Sequence, residues 1–109
     1  MASINPGDAQ VLETVSGTGA GVIFSFPLHQ SAGDWSVVFQ AKSGTTISAD
    51  LQISLDGGTT FVNYAATLIT AAGAKSLNAS GTTPAVAGAL FRFNYTTLTG
   101  TWVILISSN

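Results

Sequence analysis

The amino-acid sequence predicts an all-β protein, an antiparallel β-sandwich of jelly-roll or Greek-key type built from about eight strands. Three observations carry that expectation. Apolar residues recur with period two in several separate segments, the spacing at which successive side chains alternate between the faces of a strand. Glycine-containing clusters interrupt the chain at intervals of about ten residues, the turn spacing of sandwiches. Helix signals are nearly missing. The one place for a helical turn is the alanine-rich stretch from Tyr64 to Ala74, which Gly73 and several threonines weaken.

The strands follow in chain order. A weak one is expected over Gln10 to Ser16. Val22, Phe24, Phe26 and Leu28 share one face of the next, with Pro27 marking its end or a sheet edge. Trp35, Val37, Phe39 and Ala41 form the apolar phase of a third, against Ser36, Val38, Gln40 and Lys42. Leu51, Ile53 and Leu55 alternate with Gln52, Ser54 and Asp56. Weaker strands are expected over Thr60 to Ala65 and Lys75 to Ser80. Phe91, Phe93 and Tyr95 then alternate with Arg92, Asn94 and Thr96. The last strand is apolar on both sides, with Trp102, Ile104 and Ile106 on one face and Val103 and Leu105 on the other. Such a strand is either central in a sandwich or half-covered by another chain. Trp35 and Trp102 both lie in strongly alternating strands and are expected in the core. Residues 1–9 read as an irregular arm, because Pro6-Gly7 interrupts pairing.

A chain of 109 residues forms one domain with one core, and nothing inside it reads as a linker or a repeat. Only 7% of its residues are charged, against about 25% in an average soluble domain. The mean hydropathy is +0.43, which opposes intrinsic disorder. With Lys42, Lys75 and Arg92 as the fixed cations and a net charge of -2, no nucleic-acid groove and no anionic membrane surface is expected as a partner. The absence of cysteine excludes disulfides, thiolate metal sites and cysteine nucleophiles. No apolar run approaches the ~20 residues of a spanning helix, and the first residues carry no secretory signature, so use without secretion is expected.

The most specific local motif is Ser54-Leu55-Asp56-Gly57-Gly58-Thr59-Thr60-Phe61. It is similar to the Asp-box of sialidases and other β-propellers, where the motif is a structural hairpin. The physical reading agrees: an aspartate accepts from amides of the turn, a glycine supplies positive φ, and the aromatic packs beneath. Ser54, Asp56, Gly58, Thr60 and Phe61 are therefore assigned to a structural turn. No catalytic residue, metal site or cofactor is predicted. Asp34, Asp50 and Asp56 are too dispersed for calcium, which gathers about 6–8 oxygens. His29, the one histidine, has no ligand set or nucleophile beside it in the chain. The loop Gly17 to Gly21 is followed by no Lys-Ser/Thr and is no phosphate loop. Asn78-Ala79-Ser80 and Asn94-Tyr95-Thr96 are chance sequons in a chain rich in serine and threonine. Tyr64 is the candidate for an exposed ring.

Taken together, the hairpin from Ala49 to Tyr64, the terminal pair from Leu90 to Ser107 and the charge-poor Ala/Gly/Ser/Thr-rich composition resemble small virion proteins of tailed bacteriophages. The likeness is greatest to capsid decoration, or cement, proteins. It implies a homo-oligomer, with a trimer favoured, that binds the major capsid protein or another virion protein and is assembled in the host cytoplasm. Ala2, Ile4, Trp102, Val103 and Leu105 are the expected interface: the arm orders on a neighbour, and the two-sided strand needs a cover. The alternative is a receptor- or carbohydrate-binding module of a phage tail or fibre, which needs an exposed aromatic platform or a cluster of Asn, Asp and Gln. An enzyme is not expected.

Overall fold

The computed structural model describes residues 2–3, 9–25, 35–79 and 89–108. Its strands are β1 (Ala2–Ser3), β2 (Ala9–Val15), β3 (Gly19–Ala20), β4 (Phe24–Ser25), β5 (Trp35–Lys42), β6 (Thr46–Ser54), β7 (Val62–Ile69), β8 (Gly73–Ala79), β9 (Leu90–Thr99) and β10 (Trp102–Ser108). Their antiparallel pairs are nested: β6 with β7, β5 with β8, β4 with β9 and β2 with β10. One long hairpin has thus been rolled up. The roll closes where β9 pairs with β6 and β10 pairs with β5. Two sheets result, ordered β4-β9-β6-β7 and β2-β10-β5-β8, the strand order of a jelly roll. The first is extended by β1, which pairs in parallel with β4, and by β3 beside β9. The arm expected to be irregular therefore carries a short parallel bridge, Ala2 opposite Phe24 and Ser3 opposite Ser25.

The predicted inner phases meet between the sheets. Val37, Phe39 and Ala41 of β5 and Trp102, Ile104 and Ile106 of β10 are buried. They face Ile47, Ala49 and Leu51 of β6 and Phe91, Phe93 and Tyr95 of β9. Phe93 sits at the centre, with the Phe39 ring edge-on at 4.9 Å and those of Phe24 and Tyr95 at 6.3 and 6.1 Å. Offset and edge-on rings of this kind add about 0.5–1.5 kcal/mol per pair beyond area burial. β10 lies between β2 and β5 in its sheet, with Val103 and Leu105 on the side away from the core.

Several expectations are corrected. The Tyr64 to Ala74 stretch forms no helical turn; it is the end of β7, a bend and the start of β8. The β-branched residues Thr67 and Ile69 lose less rotamer freedom in a strand, and tertiary pairing with β6 outweighs alanine's helix propensity. The strand expected over 60–65 runs instead from Val62 to Ile69. Leu55 leaves the apolar face of its strand because β6 ends at Ser54, and the leucine is 76% exposed. Phe26, Leu28, His29 and Asp34 lie outside the described residues, as does the side chain of Trp35.

Two side chains fasten the roll. Trp102 donates from Nε1 to the carbonyl oxygens of Thr46 (3.0 Å) and Thr99 (3.1 Å), where the chain passes between sheets. Gly44 lies directly against the indole, so that any Cβ there would fall inside it. Glu13 of β2 is the second fastener. Its Oε1 accepts the Val22 amide (3.0 Å) and its Oε2 accepts the Tyr95 hydroxyl (2.6 Å), tying β2 to β9 and to the segment before β4. Gly21 leaves room for that carboxylate and donates its own amide to the Phe93 carbonyl oxygen (2.7 Å). Burial, and then the bond and charge of Glu13, push the Tyr95 phenol far above its ordinary value of 10.0.

Two outcomes are expected. Gly44→Ala should destabilise the fold by about 1–3 kcal/mol, because the overpacked indole must shift off its two carbonyls; a urea midpoint equal to wild type contradicts this. For Tyr95, the folded pKa is raised, so its stabilisation is complete below the ordinary value of 10.0 and declines as pH rises beyond it, where only the unfolded chain ionises. The urea midpoint of the wild type should therefore fall more steeply above pH 10.0 than that of Tyr95→Phe. Parallel curves would remove Tyr95 as the cause.

Candidate contact surfaces

The β6–β7 hairpin is built from its own side chains. Ser54, buried at the strand end, donates from Oγ to Asp56 Oδ1 (2.7 Å) and accepts the Gly58 amide (3.0 Å). Asp56 Oδ1 also accepts the Thr60 amide (2.9 Å). Gly57 and Gly58 take φ of 76° and 95°, a region that an L side chain rarely occupies. An aspartate accepting a turn amide and glycines at positive φ are the features expected from the sequence; the bonds of the Ser54 hydroxyl are additional. The Thr60 amide first, and then the Ser54 hydroxyl, hold the Asp56 carboxyl below its ordinary 3.8.

Phe61 is half-buried, and the Arg92 guanidinium carbon sits 4.1 Å from its ring centroid. Arg92 Nε donates to Gln52 Oε1 (2.9 Å), and Gln52 Nε2 donates to Asn63 Oδ1 (3.1 Å). Register places Asn63, Gln52 and Arg92 side by side across β7, β6 and β9. The aromatic thus caps a polar row on the outside of this sheet, because Phe91 and Phe93 flanking Arg92 already fill the inside. Beside the row, Asp50 Oδ1 accepts the Thr67 amide (2.6 Å).

Among the described residues, the exposed large apolar side chains fall in two places. At the hairpin, Leu55 is joined by Val62, 57% exposed, and by Tyr64, whose ring edge approaches Phe91 at a centroid distance of 5.9 Å. The other place is the outer face of the four-stranded sheet. Residues opposite one another across paired strands share a face. Val11 lies opposite Leu105 and Thr14 opposite Val103. On the other side of β10, Lys42, Gln40 and Val38 lie opposite Val103, Leu105 and Ser107. Val11 and Val38 are 56% and 42% exposed, and Val103 and Leu105 are half-buried between them. Among the described residues Lys42 is the one ionisable group on this face.

The predicted interface residues therefore separate. Val103 and Leu105 lie on the outer face. Trp102 is 1% exposed and belongs to the core, since its phase along β10 is that of Ile104 and Ile106. Ala2 enters the fold through its backbone pairing, and Ile4 lies outside the described residues. Val11, Val38, Leu55 and Val62 were not singled out from the sequence. Val38 carried a signal: it interrupts the polar phase of Ser36, Gln40 and Lys42 just as Val103 and Leu105 do in β10.

Asp56 sets a measurable acid response. Its folded pKa is depressed, so its contribution is present above 3.8 and is lost as pH falls through the folded value. The Thr60 amide resonance should move with a midpoint below 3.8, and Asp56→Ala should abolish that transition and speed exchange of the same amide. A midpoint at or above 3.8 contradicts the assignment.

Among the described residues no three His, Cys, Asp or Glu side chains gather as a metal site would require. Searches with protein-family models, with curated proteins and with solved structures found no match to the chain.

Proposed function

We propose that this chain is a structural virion protein, a capsid decoration or cement protein that works by contact and assembles as a homo-oligomer. One observation carries the reading: among the described residues the exposed large apolar side chains lie on two separate surfaces, Val11 and Val38 on one sheet and Leu55, Val62 and Tyr64 on the hairpin of the other. A subunit with two such surfaces touches two neighbours at once. That is what a link in a lattice needs and what an isolated carrier does not. Covering either surface contributes about 25 cal/mol per Å² of apolar area, and simultaneous contacts multiply in effect because the second is intramolecular. The resemblance of the hairpin and terminal strands to tailed-phage decoration proteins points the same way, and a jelly roll is compatible with it.

The carbohydrate-binding alternative draws less support. Stacking on a sugar needs an open ring face. Arg92 lies over the Phe61 ring and takes that face.

The test is quantitative mass spectrometry of virus particles that carry this chain's gene. Hundreds of copies per particle are expected for a cement protein. A few to a few dozen would move it to the tail or fibre, and its absence from particles would overturn the virion assignment.

A further inference from the structure

We propose that the outer face of the six-stranded sheet, where β9 and β6 run side by side, binds an acidic sugar whose carboxylate is taken by Arg92. The site goes beyond the contact role and adds a ligand to it.

Strand register sets four polar side chains at the corners of a rectangle. Arg92 lies opposite Gln52, and Asn94 lies opposite Asp50. Paired strands stand about 4.8 Å apart, and residues two apart along one strand return to the same face after about 6.7 Å. All four residues are half-buried. Arg92 is fixed from two directions: its guanidinium carbon is 4.1 Å from the Phe61 centroid, and its Nε donates to Gln52 Oε1. Asn63 holds Gln52 in turn. Among the described residues, nothing accepts from the two terminal nitrogens of Arg92, and no carboxylate pairs with it. The Asn94 amide has no partner there either, and Asp50 uses only Oδ1, on the Thr67 amide.

An arginine held still without a counter-ion is a fork for the two oxygens of an anion, either carboxylate or phosphate. Its neighbours select between them. Asp50 stands diagonally across from Arg92 and opposes the second charge of a phosphate. With three fixed cations and a net charge of -2, the chain is also poorly suited to a polyanion.

The rest of the rectangle indicates what carries the carboxylate. Between β9 and β6 this face has no aliphatic side chain near Arg92, so a peptide would bury little apolar area on it. A sugar brings hydroxyls, which both donate and accept. The Asn94 amide meets either need, and Asp50 Oδ2 accepts. The step from Arg92 to the Asn94–Asp50 pair, about 6.7 Å, is one that a pyranose spans from its carboxylate to the hydroxyls across the ring. Ala20 of β3, opposite Asn94, is exposed and adds only a methyl group, so that side stays open to a further sugar unit. No ring needs to stack on the ligand, because Phe61 serves the arginine instead.

Titration of the isotope-labelled full chain with trigalacturonate, sialyllactose, lactose and sodium acetate, followed by NMR, tests the site. At least one acidic sugar should shift the Arg92 Nε–H resonance and the amides of residues 50–52 and 92–94, half-saturating at roughly 1–10 mM. A response to one acid alone identifies it as a hexuronate or a sialic acid. Lactose and acetate at equal concentration should leave these resonances in place. Arg92→Lys keeps the charge but loses the fork and should weaken binding by at least about fivefold. Asn94→Ala should weaken it about two- to fivefold, and Leu55→Lys should leave it unchanged, with circular dichroism as the check on folding. No shift with either acid up to about 50 mM, equal shifts with lactose or acetate, or undiminished binding by Arg92→Lys would each overturn the proposal. Copy number in particles decides the virion reading separately, so either conclusion can fail while the other stands.

Discussion

The passage of the chain between its two sheets is the constraint on which the structure depends. In a rolled hairpin the main strands on either side of the β6–β7 turn alternate between layers, so β5 gives way to β6 and β9 to β10 across the core. Both crossings are tight. Ser43 takes a φ of 83° in the first and Gly100 one of 86° in the second. Sharp crossings leave carbonyl groups turned away from ladder partners, and Trp102 supplies a donor to one carbonyl from each side. The Thr45 amide, bonded to the Thr99 carbonyl at 3.0 Å, stitches the two crossings to each other. The indole thus combines a large buried area with the single N–H that the junction requires. A phenylalanine would fill part of the same space and leave the carbonyls without that donor.

The Glu13 clasp follows the same logic with a harder penalty. A carboxylate partly withdrawn from water is costly unless each oxygen is satisfied. Here one oxygen takes a backbone amide and the other a phenol, from segments far apart in the chain. The short strands β3 and β4 lack the ladder length to hold themselves, and Glu13 with Gly21 supplies what their few backbone bonds do not. Both fasteners are polar groups set against an apolar core. That is how a domain with so few charges obtains a defined register.

These features divide what the sequence makes legible from what it does not. Period-two alternation identified the inner faces of β5, β9 and β10 because burial on one side imposes that phase on the residues themselves. The hairpin from Ser54 to Thr60 was readable for a related reason: its hydrogen bonds run between residues at most four apart. Glu13 was invisible because its partners lie 9 and 82 residues away, and nothing local marks a glutamate as a clasp. The same holds for Gly44, whose requirement comes from an indole far along the chain. The Arg92 neighbour of Phe61 was not readable, because only the β6–β9 register brings that arginine beside it. The outer contact face lay between these extremes. Its β10 half showed in Val103 and Leu105, while its continuation to Val11 and Val38 needed the pairing.

The scarcity of charge acquires a structural meaning once the three fixed cations are located. Arg92 is committed to Phe61 and Gln52, where it orders a polar row. Lys75 stands on the inner side of the β8 rim, where it opposes another strand. Lys42 marks one end of the apolar outer face. An ordinary domain spreads many charges over every surface and keeps its neighbours off by solvation everywhere. This one places single charges at an edge and a boundary and lets bulges protect the remaining long edges, which leaves defined apolar areas uncovered. Adding charge to those areas would raise solubility without touching the core. Under the proposed contact role, these valines and leucines are the surfaces that neighbours would cover.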